Sequence, residues 1–117
     1  MTLKEKTEDI YRMLGEGKLL EAFDKYYAEN VEMREPTKTF KGKKECREHE
    51  VEFLDMVEEF HDLEVRAITS DEANGIVMHE TAMEVTFKGG NRVKMEQAGV
   101  QRWKDGQIVY ERFYYNE

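Results

Sequence analysis

The chain has 117 residues, and its 18 Lys and Arg against 26 Asp and Glu give a formal net charge of -8. A chain of this length is expected to fold around one hydrophobic core. Its negative surface would repel phosphate backbones, which argues against nucleic acid as a partner. No apolar run approaches the roughly 18 residues that a membrane span requires, so we predict no membrane partner.

Cysteine content and the start of the chain bear on location. Cys46 is the single cysteine, so no intrachain disulfide can form. The first ten residues have neither the basic nor the apolar region of a secretory leader. We therefore expect the protein to be cytoplasmic.

Helical periodicity dominates the first half of the chain. Leu3, Ile10 and Leu14 belong to one apolar face, and the glycines at 15 and 17 end that pattern. Pro36 stops a short run of alternating residues. The elements predicted for this half are helices over 3–14, 19–30 and 43–59 and a short strand over 31–34.

From Asp62 onward the period changes to two, and glycine-rich turns divide the sequence into strands over about 62–70, 76–88, 92–104 and 107–116. Strands of this length must twist and curl. Gly99 lies inside the third of them, at a position typical of a bend or bulge.

The element order α-α-β-α-β-β-β-β predicts a single α+β domain over residues 1–117. We expect a cone-shaped, strongly curved, largely antiparallel (mixed) sheet wrapped over three N-terminal helices, with an interior pocket.

Four short stretches occur in an informative order: Tyr27–Val31, Glu35-Pro36, Phe40–Lys43 and Trp103–Ile108. With this succession of elements, the chain resembles the SnoaL-like branch of the nuclear transport factor 2-like superfamily, which has the ketosteroid isomerase and polyketide cyclase fold. The resemblance covers essentially the whole chain. Because this superfamily includes both enzymes and proteins without catalysis, its fold does not specify the function.

The resemblance implies roles for particular positions. Glu35 stands where isomerase-like members have the acid that removes a proton beside a carbonyl, and Tyr11, or Ile10 in an alternative alignment, stands near their oxyanion-binding tyrosine. Their second oxyanion donor, an aspartate, falls at or near Gly99. The catalytic aspartate of the cyclases corresponds to Asn116, whose amide can orient a carbonyl but cannot exchange a proton near neutral pH.

Alternation along the strands predicts which side chains face the pocket. His79 and Met83 share the more apolar face of their strand, and the resemblance turns Gln97, Gln101 and Trp103 inward. On the last strand, Ile108, Tyr110, Arg112, Tyr114 and Asn116 share one face, while the residues between them share the other. The predicted ligand-binding residues are Tyr11, Met83, Gln97, Gln101, Trp103, Arg112 and Tyr114.

The candidate catalytic residues are Glu35, His79 and Asn116, and each has a structural alternative. Glu35 is either a base whose pKa burial has raised or a loop-edge carboxylate paired with a basic neighbour. His79 is either a general base or a histidine satisfied by a neighbouring strand. Arg112 requires an internal carboxylate or an anionic ligand if it points inward, and otherwise lies at the pocket rim.

Neither a metal nor a cofactor is predicted. The segment Glu58–His61 contains one Glu-x-x-His unit, whereas di-iron sites need two copies and further carboxylates. The last strand is apolar on both faces, which suggests that a second copy of the chain covers the outer face of the sheet as a homodimer.

The sequence thus predicts a protein that binds, and as an enzyme isomerises, cyclises or dehydrates, a small hydrophobic carbonyl compound by cofactor-free acid/base chemistry. The alternative is a non-catalytic ligand-binding or dimeric interaction domain with a vestigial pocket.

Overall fold

The computed structural model describes residues 1–116, and Glu117, the last residue of the predicted domain, lies outside them. The fold is α+β, as predicted. The helices are α1 (Leu3–Gly15), α2 (Leu19–Tyr26) and α3 (Lys43–Met56), and the strands are β1 (Tyr27–Arg34), β2 (Thr39–Lys41), β3 (Val57–Asp71), β4 (Ile76–Phe87), β5 (Arg92–Lys104) and β6 (Gln107–Tyr114).

Local sequence explains the start of α1. The Thr2 side chain accepts a hydrogen bond from the backbone N–H of Glu5, and the Glu5 carboxylate accepts one from the backbone N–H of Thr2. This capping box satisfies two N–H groups that a helix start would otherwise leave unpaired. The helix buries Thr7, Ile10 and Tyr11 against the rest of the protein. The predicted first helix is therefore confirmed.

The second predicted helix is shorter in the structure than the sequence suggests. It ends at Tyr26, and β1 begins at Tyr27 rather than at Val31. The ring of Tyr27 stacks on Phe23 at 4.5 Å, while its backbone pairs with Ile108 of β6. Residues 27–30, whose spacing is compatible with a helix, are therefore part of β1, because pairing with β6 outweighs their helical preference.

A similar exchange occurs at the end of α3. That helix ends at Met56 rather than near Glu59, because Val57 already pairs with Phe87 of β4. The resulting β3 begins five residues before the predicted strand. The three-residue strand β2 is absent from the prediction, since it is too short for alternation to reveal it.

The six strands form one open sheet in the order β2-β1-β6-β5-β4-β3. The pairing of β1 with β6 is parallel, and the other pairings are antiparallel. Register shifts interrupt the β1–β6, β3–β4 and β5–β6 ladders. Such irregularities increase local twist and bend a sheet, so they account for curvature in strands this long.

The core lies between the helices and the concave face of the sheet. Its members come from α1, α2, α3 and four strands, and include Phe23, Met33, Val77, Trp103 and Ile108. Fully burying a side chain such as Phe23 contributes roughly 1.5–3 kcal/mol. Cys46 of α3 is buried in the same cluster.

Gly99 does not mark a bulge, because the β4–β5 register runs through it without interruption and pairs it with His79. The glycine is needed for a different reason. A Cβ atom at position 99 would lie 2.3 Å from Cε1 of the His79 imidazole. The absent side chain leaves space for the histidine ring on the inner face of the sheet.

Gly99→Ala should therefore destabilise the protein by about 1–3 kcal/mol, the usual cost of overpacking a core. Chemical denaturation monitored by circular dichroism will measure the difference. Gly15→Ala is the matched control, because a Cβ at that position meets no atom within 4 Å. Equal stability of the Gly99→Ala variant and the wild type would show that His79 moves at little cost.

Candidate functional site

A partly open cavity of about 140 Å³ lies between the three helices and the concave face of the sheet. Its walls are mostly apolar, and its polar groups are four acidic or basic side chains, two tyrosines, a threonine and a glutamine. These polar residues are Tyr11, Tyr27, Glu35, His49, Glu50, Thr81, Gln97 and Glu111. A cavity of similar size, roughly 150 Å³, holds benzene in another protein. The space therefore suits a ligand of about that size.

Glu35 and His49 form a pair at one side of the cavity. The His49 Nε2 atom lies 3.3 Å from Glu35 Oε1, and the imidazole stacks on Phe40 with ring centroids 4.1 Å apart. The hydrogen bond to Glu35 is the main cause that raises the pKa of His49. The Glu35 side chain retains 16% exposure. Glu35 therefore reaches the cavity, but it has a basic partner there.

Glu50 is the next residue along α3, and its carboxylate has a different environment. Within residues 1–116 no side chain or backbone group hydrogen-bonds it, although it lines the cavity. Burial raises the pKa of Glu50 to about 7; nearby His49 opposes the change, while Glu111 and Glu35 add to it. A carboxyl group with a pKa near the ambient pH can both accept and return a proton.

Glu111 is the most deeply buried acid of the site, with only 1% of its surface exposed. Its Oε1 accepts a short hydrogen bond from the Tyr27 hydroxyl, and its Oε2 accepts one of 3.0 Å from the Gln101 amide. Burial, followed by the charge of Glu111, raises the pKa of Tyr27 well above its ordinary value. The phenol therefore stays protonated and keeps donating to the carboxylate.

Gln101 connects Glu111 to α1 and to the far end of β5. Its Oε1 accepts a hydrogen bond of 3.0 Å from the Trp103 indole, and it lies 2.9 Å from the Thr7 hydroxyl, whose single hydrogen is shared with the Leu3 carbonyl oxygen at 3.0 Å. All of these side chains are buried. A buried polar network with every group paired fixes its members in one arrangement.

His79 lies between Glu111 and Tyr11. Its Nε2 atom is 3.7 Å from Glu111 Oε2, and the Tyr11 hydroxyl is 3.1 Å from its Nδ1 and 3.3 Å from its Nε2. The rings of Tyr11 and Phe113 both meet the imidazole edge-on. Burial, followed by the charge of Glu111, raises the pKa of Tyr11. His79 thus connects a buried carboxylate to a tyrosine that lines the cavity.

Comparisons with known proteins identify the family to which the chain belongs. A sequence model of the SnoaL-like domain matches residues 1–115. The chain belongs to this SnoaL-like domain family. A search of curated proteins gave no match.

Solved structures similar to this SnoaL-like domain come from several bacteria. A Mesorhizobium loti protein provisionally named a SnoaL-like polyketide cyclase is 28% identical, with a TM-score of 0.83 over 98% of this chain and 100% of that one. A Bacillus subtilis protein provisionally named an isomerase is 17% identical, with a TM-score of 0.83 over 99% and 90%. An epoxide hydrolase from M. tuberculosis is 17% identical, with a TM-score of 0.78 over 98% and 84%. The latter two likenesses show the fold alone.

The structure of the SnoaL-like domain brings several predicted residues to one place. Tyr11, Glu35, Met83 and Gln97 line the cavity. The side chains of His79, Gln101 and Trp103 are buried behind its wall, in or beside the network around Glu111. The predicted inner faces of β4 and β5 are therefore confirmed by burial.

Arg112, Tyr114 and Asn116 lie elsewhere, because β6 contains a bulge. Trp103 pairs with Ile108 and Arg102 with Tyr110, so Val109 is an extra residue in the ladder. An extra residue reverses which side chains face inward after it. Ile108 before the bulge is buried, and so is Glu111 after it. This reversal puts Glu111 inside in place of the predicted Arg112.

Arg112 and Tyr114 lie on the outer face of the sheet. The Arg112 guanidinium lies 4.7 Å from the centre of the Tyr114 ring, and Tyr114 is 49% exposed. Asn116 follows the end of β6, is exposed, and is not among the cavity-lining residues. None of the three lines the cavity.

Of the polar residues that line the cavity, four were not predicted to face it: Tyr27, His49, Glu50 and Glu111. His49 and Glu50 lie on α3, which has charged residues around much of its surface. The sequence therefore does not distinguish the charged residues that point inward from those that face solvent. Tyr27 was predicted to belong to a helix, and Glu111 to the face of the last strand opposite the predicted ligand-binding residues. No local signal marked Glu111, because both faces of the last strand carry apolar residues in the sequence.

Within residues 1–116, no group of three or more His, Cys, Asp or Glu side chains is arranged to hold a metal ion. None of the helices in that part of the chain is long and apolar enough to cross a membrane. The cytoplasmic location expected from the sequence stays a prediction.

Glu50→Gln should stabilise the domain at pH 8, on the order of 1 kcal/mol, by removing a half-buried carboxylate that loses solvation on folding. The folded-state pKa is the higher one, so the unfolded chain loses its proton first. Wild-type stability should therefore fall as the pH rises from about 4.5 to about 7, the pKa of Glu50 in the folded state.

Thermal unfolding of both proteins at pH 4.5 and pH 8 checks this expectation, and the difference should shrink at the lower pH. The control is Glu48→Gln, which changes an exposed acid of the same helix. If the Glu50→Gln variant is less stable than the wild type at pH 8, the Glu50 carboxylate must have a stabilising partner in the folded protein, contrary to the expectation.

Proposed function

We propose that the domain transfers a proton between two positions of a small hydrophobic carbonyl compound without a cofactor. The observation that carries the proposal is Glu50, which faces a mostly apolar cavity, has no hydrogen-bond partner within residues 1–116 and has a pKa that burial raises to about 7. General acid/base catalysis is most effective when the pKa of the catalytic group is close to the working pH.

In the proposed reaction, the Glu50 carboxylate accepts the proton from the carbon next to the carbonyl. The electron pair of the broken C–H bond moves toward the carbonyl oxygen and forms an enolate. Glu50 then returns the proton to a different carbon, which gives an isomer and regenerates the carboxylate. The negative charge of the site is the same before and after each transfer, so no uncompensated charge accumulates in the cavity.

The remaining polar groups suit supporting roles. The Gln97 amide lines the cavity and can donate a hydrogen bond to the developing enolate oxygen. The pair of Glu35 and His49 adjoins Glu50 in the wall, and a protonated His49 would favour the enolate by charge. Glu35, predicted from the sequence as the base, remains a candidate for that role. The similar protein provisionally named a SnoaL-like polyketide cyclase supports acid/base chemistry on this fold.

The test is exchange of carbon-bound hydrogen with solvent. Cyclohexanone and the unsaturated ketone 3-cyclohexen-1-one are of the size the cavity can hold, and proton NMR in deuterium oxide reports both deuterium uptake and isomerisation. Glu50→Gln should lower the rate by at least about 100-fold, since a positioned acid/base group contributes 10²–10⁴-fold. Glu48→Gln should leave it unchanged.

Glu35→Gln separates the two candidate bases. A full loss of exchange in Glu35→Gln with retained exchange in Glu50→Gln would assign the proton transfer to Glu35. Saturable binding of these ketones with no exchange above background in the wild type would instead support a non-catalytic ligand-binding domain.

We also propose that the domain forms a homodimer through the outer face of its sheet. Met78 and Tyr114 are 50% and 49% exposed there, and Val100 pairs with Met78 in the sheet between them. Apolar side chains of this size on adjacent strands are typical of a covered surface. Burying them against a second copy would remove them from water.

Sedimentation velocity at about 20 μM should give the mass of a dimer, and Met78→Glu should give a monomer, because burying an unpaired charge at the interface is unfavourable. Leu54→Glu is the control, since Leu54 is an exposed residue of α3 on another surface. A wild-type protein that sediments as a monomer would refute the proposed interface.

A further inference from the structure

A second concave space lies outside the cavity, in a groove between α1 and the edge strand β3. Lys4, Glu8 and Arg12 repeat every four residues, so one face of α1 forms a wall along most of the helix. Residues 60–63 and 65–68 of β3 form the other wall. The volume of the groove is about 720 Å³, against about 140 Å³ for the cavity. The groove is therefore the larger of the two spaces.

The groove and the cavity adjoin each other. Tyr11 and Leu63 line both of them, and the cavity is partly open. Leu14 lines the cavity, while the next residue, Gly15, lines the groove. A ligand that leaves the cavity between Tyr11 and Leu63 would therefore enter the groove.

The groove contains large apolar side chains that contact solvent. Phe60 is 42% exposed and Val65 is 43% exposed, and both line the groove together with Leu63 and Ile68. Exposed apolar side chains that cluster in a concave surface are typical of a binding site. A ligand in the groove would remove Phe60 and Val65 from water.

The arginines of the groove already have acidic partners within the protein. Arg12 forms ion pairs with Asp9 and Glu16, and Arg66 forms one with Glu96. The other charged residues of the groove carry both signs. These arginines therefore do not require an anionic ligand, and the apolar residues are the surface that gains most from being covered.

We propose that the groove binds the tail of an elongated ligand whose carbonyl head group occupies the cavity, and that this tail is an uncharged hydrocarbon chain. The inference rests on the proposed function and extends its substrate from a single small ring to a head group that carries a chain. Tyr11 and Leu63 form the neck between the two parts of the site.

The first experiment measures how binding depends on chain length. Cyclohexanone and its 4-ethyl, 4-propyl and 4-pentyl derivatives share one head group and differ in the tail. Calorimetric titration of the wild type should show affinity rising about two- to fourfold for each added methylene, where fourfold corresponds to its full burial. An affinity that stays constant or falls along the series would overturn the inference.

A double variant tests whether the groove causes this dependence. Phe60→Ser with Val65→Ser should remove most of the dependence on chain length and leave the affinity for cyclohexanone unchanged. The matched control is Leu54→Ser with Met56→Ser, which changes two exposed apolar residues of α3 that line neither the cavity nor the groove. An undiminished dependence in the Phe60 and Val65 double variant would overturn the inference, because the chain would then bind elsewhere.

NMR locates the chain directly in the wild type. With 4-pentylcyclohexanone bound to ¹³C-labelled protein, nuclear Overhauser effects should connect the end of the chain to the methyl groups of Val65 or Ile68. Contacts to Met78 on the outer face of the sheet, or to Leu54 of α3, would overturn the inference instead. So would a dimeric wild type that becomes monomeric in the Phe60 and Val65 double variant, because the groove would then be an interface between copies.

These measurements report binding and not turnover, so they are independent of the proposed proton transfer. If the double variant abolishes the dependence on chain length but no ketone exchanges hydrogen with solvent, the groove binds the tail and the proposed catalysis is wrong. If cyclohexanone exchanges but added chain length brings no affinity, the catalysis stands and the role of the groove is wrong.

Discussion

The buried carboxylate of Glu111 constrains much of the interior. It has no Lys or Arg partner among residues 1–116, so neutral donors and one imidazole must replace its lost hydration. Those groups come from β1, β4 and β5, so their bonds to Glu111 fix the positions of these strands relative to β6. Gln101 extends the same constraint to α1 through Thr7. Buried hydrogen bonds thus connect the first helix to the last strand across the core.

The three acids of the cavity show how environment divides one type of side chain into separate roles. Glu111 is held by hydrogen bonds and cannot leave its place. Glu35 is paired with an imidazole at the edge of the cavity. Glu50 has neither kind of partner, so burial dominates its ionisation. Only an acid in this last position can exchange a proton with a ligand without first breaking a bond to the protein.

Sequence patterns predicted the fold class, the order of the helices and the four long strands, because apolar periodicity reports which face is buried. They were less successful where two periodicities compete, as between Tyr27 and Val31, where sheet pairing overrides a helical spacing. The inner faces of β4 and β5 followed from simple alternation. Alternation failed on β6, since the bulge at Val109 depends on pairing with β5 and leaves no local signature. His49 and Glu50 were hidden for another reason: many charges on a solvated helix make the inward ones indistinguishable.

The bulge at Val109 has a consequence for how relatives of this domain diverge. If Val109 were deleted, alternation would run from Ile108 directly to Tyr110, and Glu111 would stay on the inner face. If Val109 stayed but joined a regular ladder, the pattern beyond it would shift by one residue and Arg112 would take the interior place of Glu111. The number of residues in one strand, and not only the substitutions in the pocket, therefore decides which side chains a relative of this domain presents to its cavity.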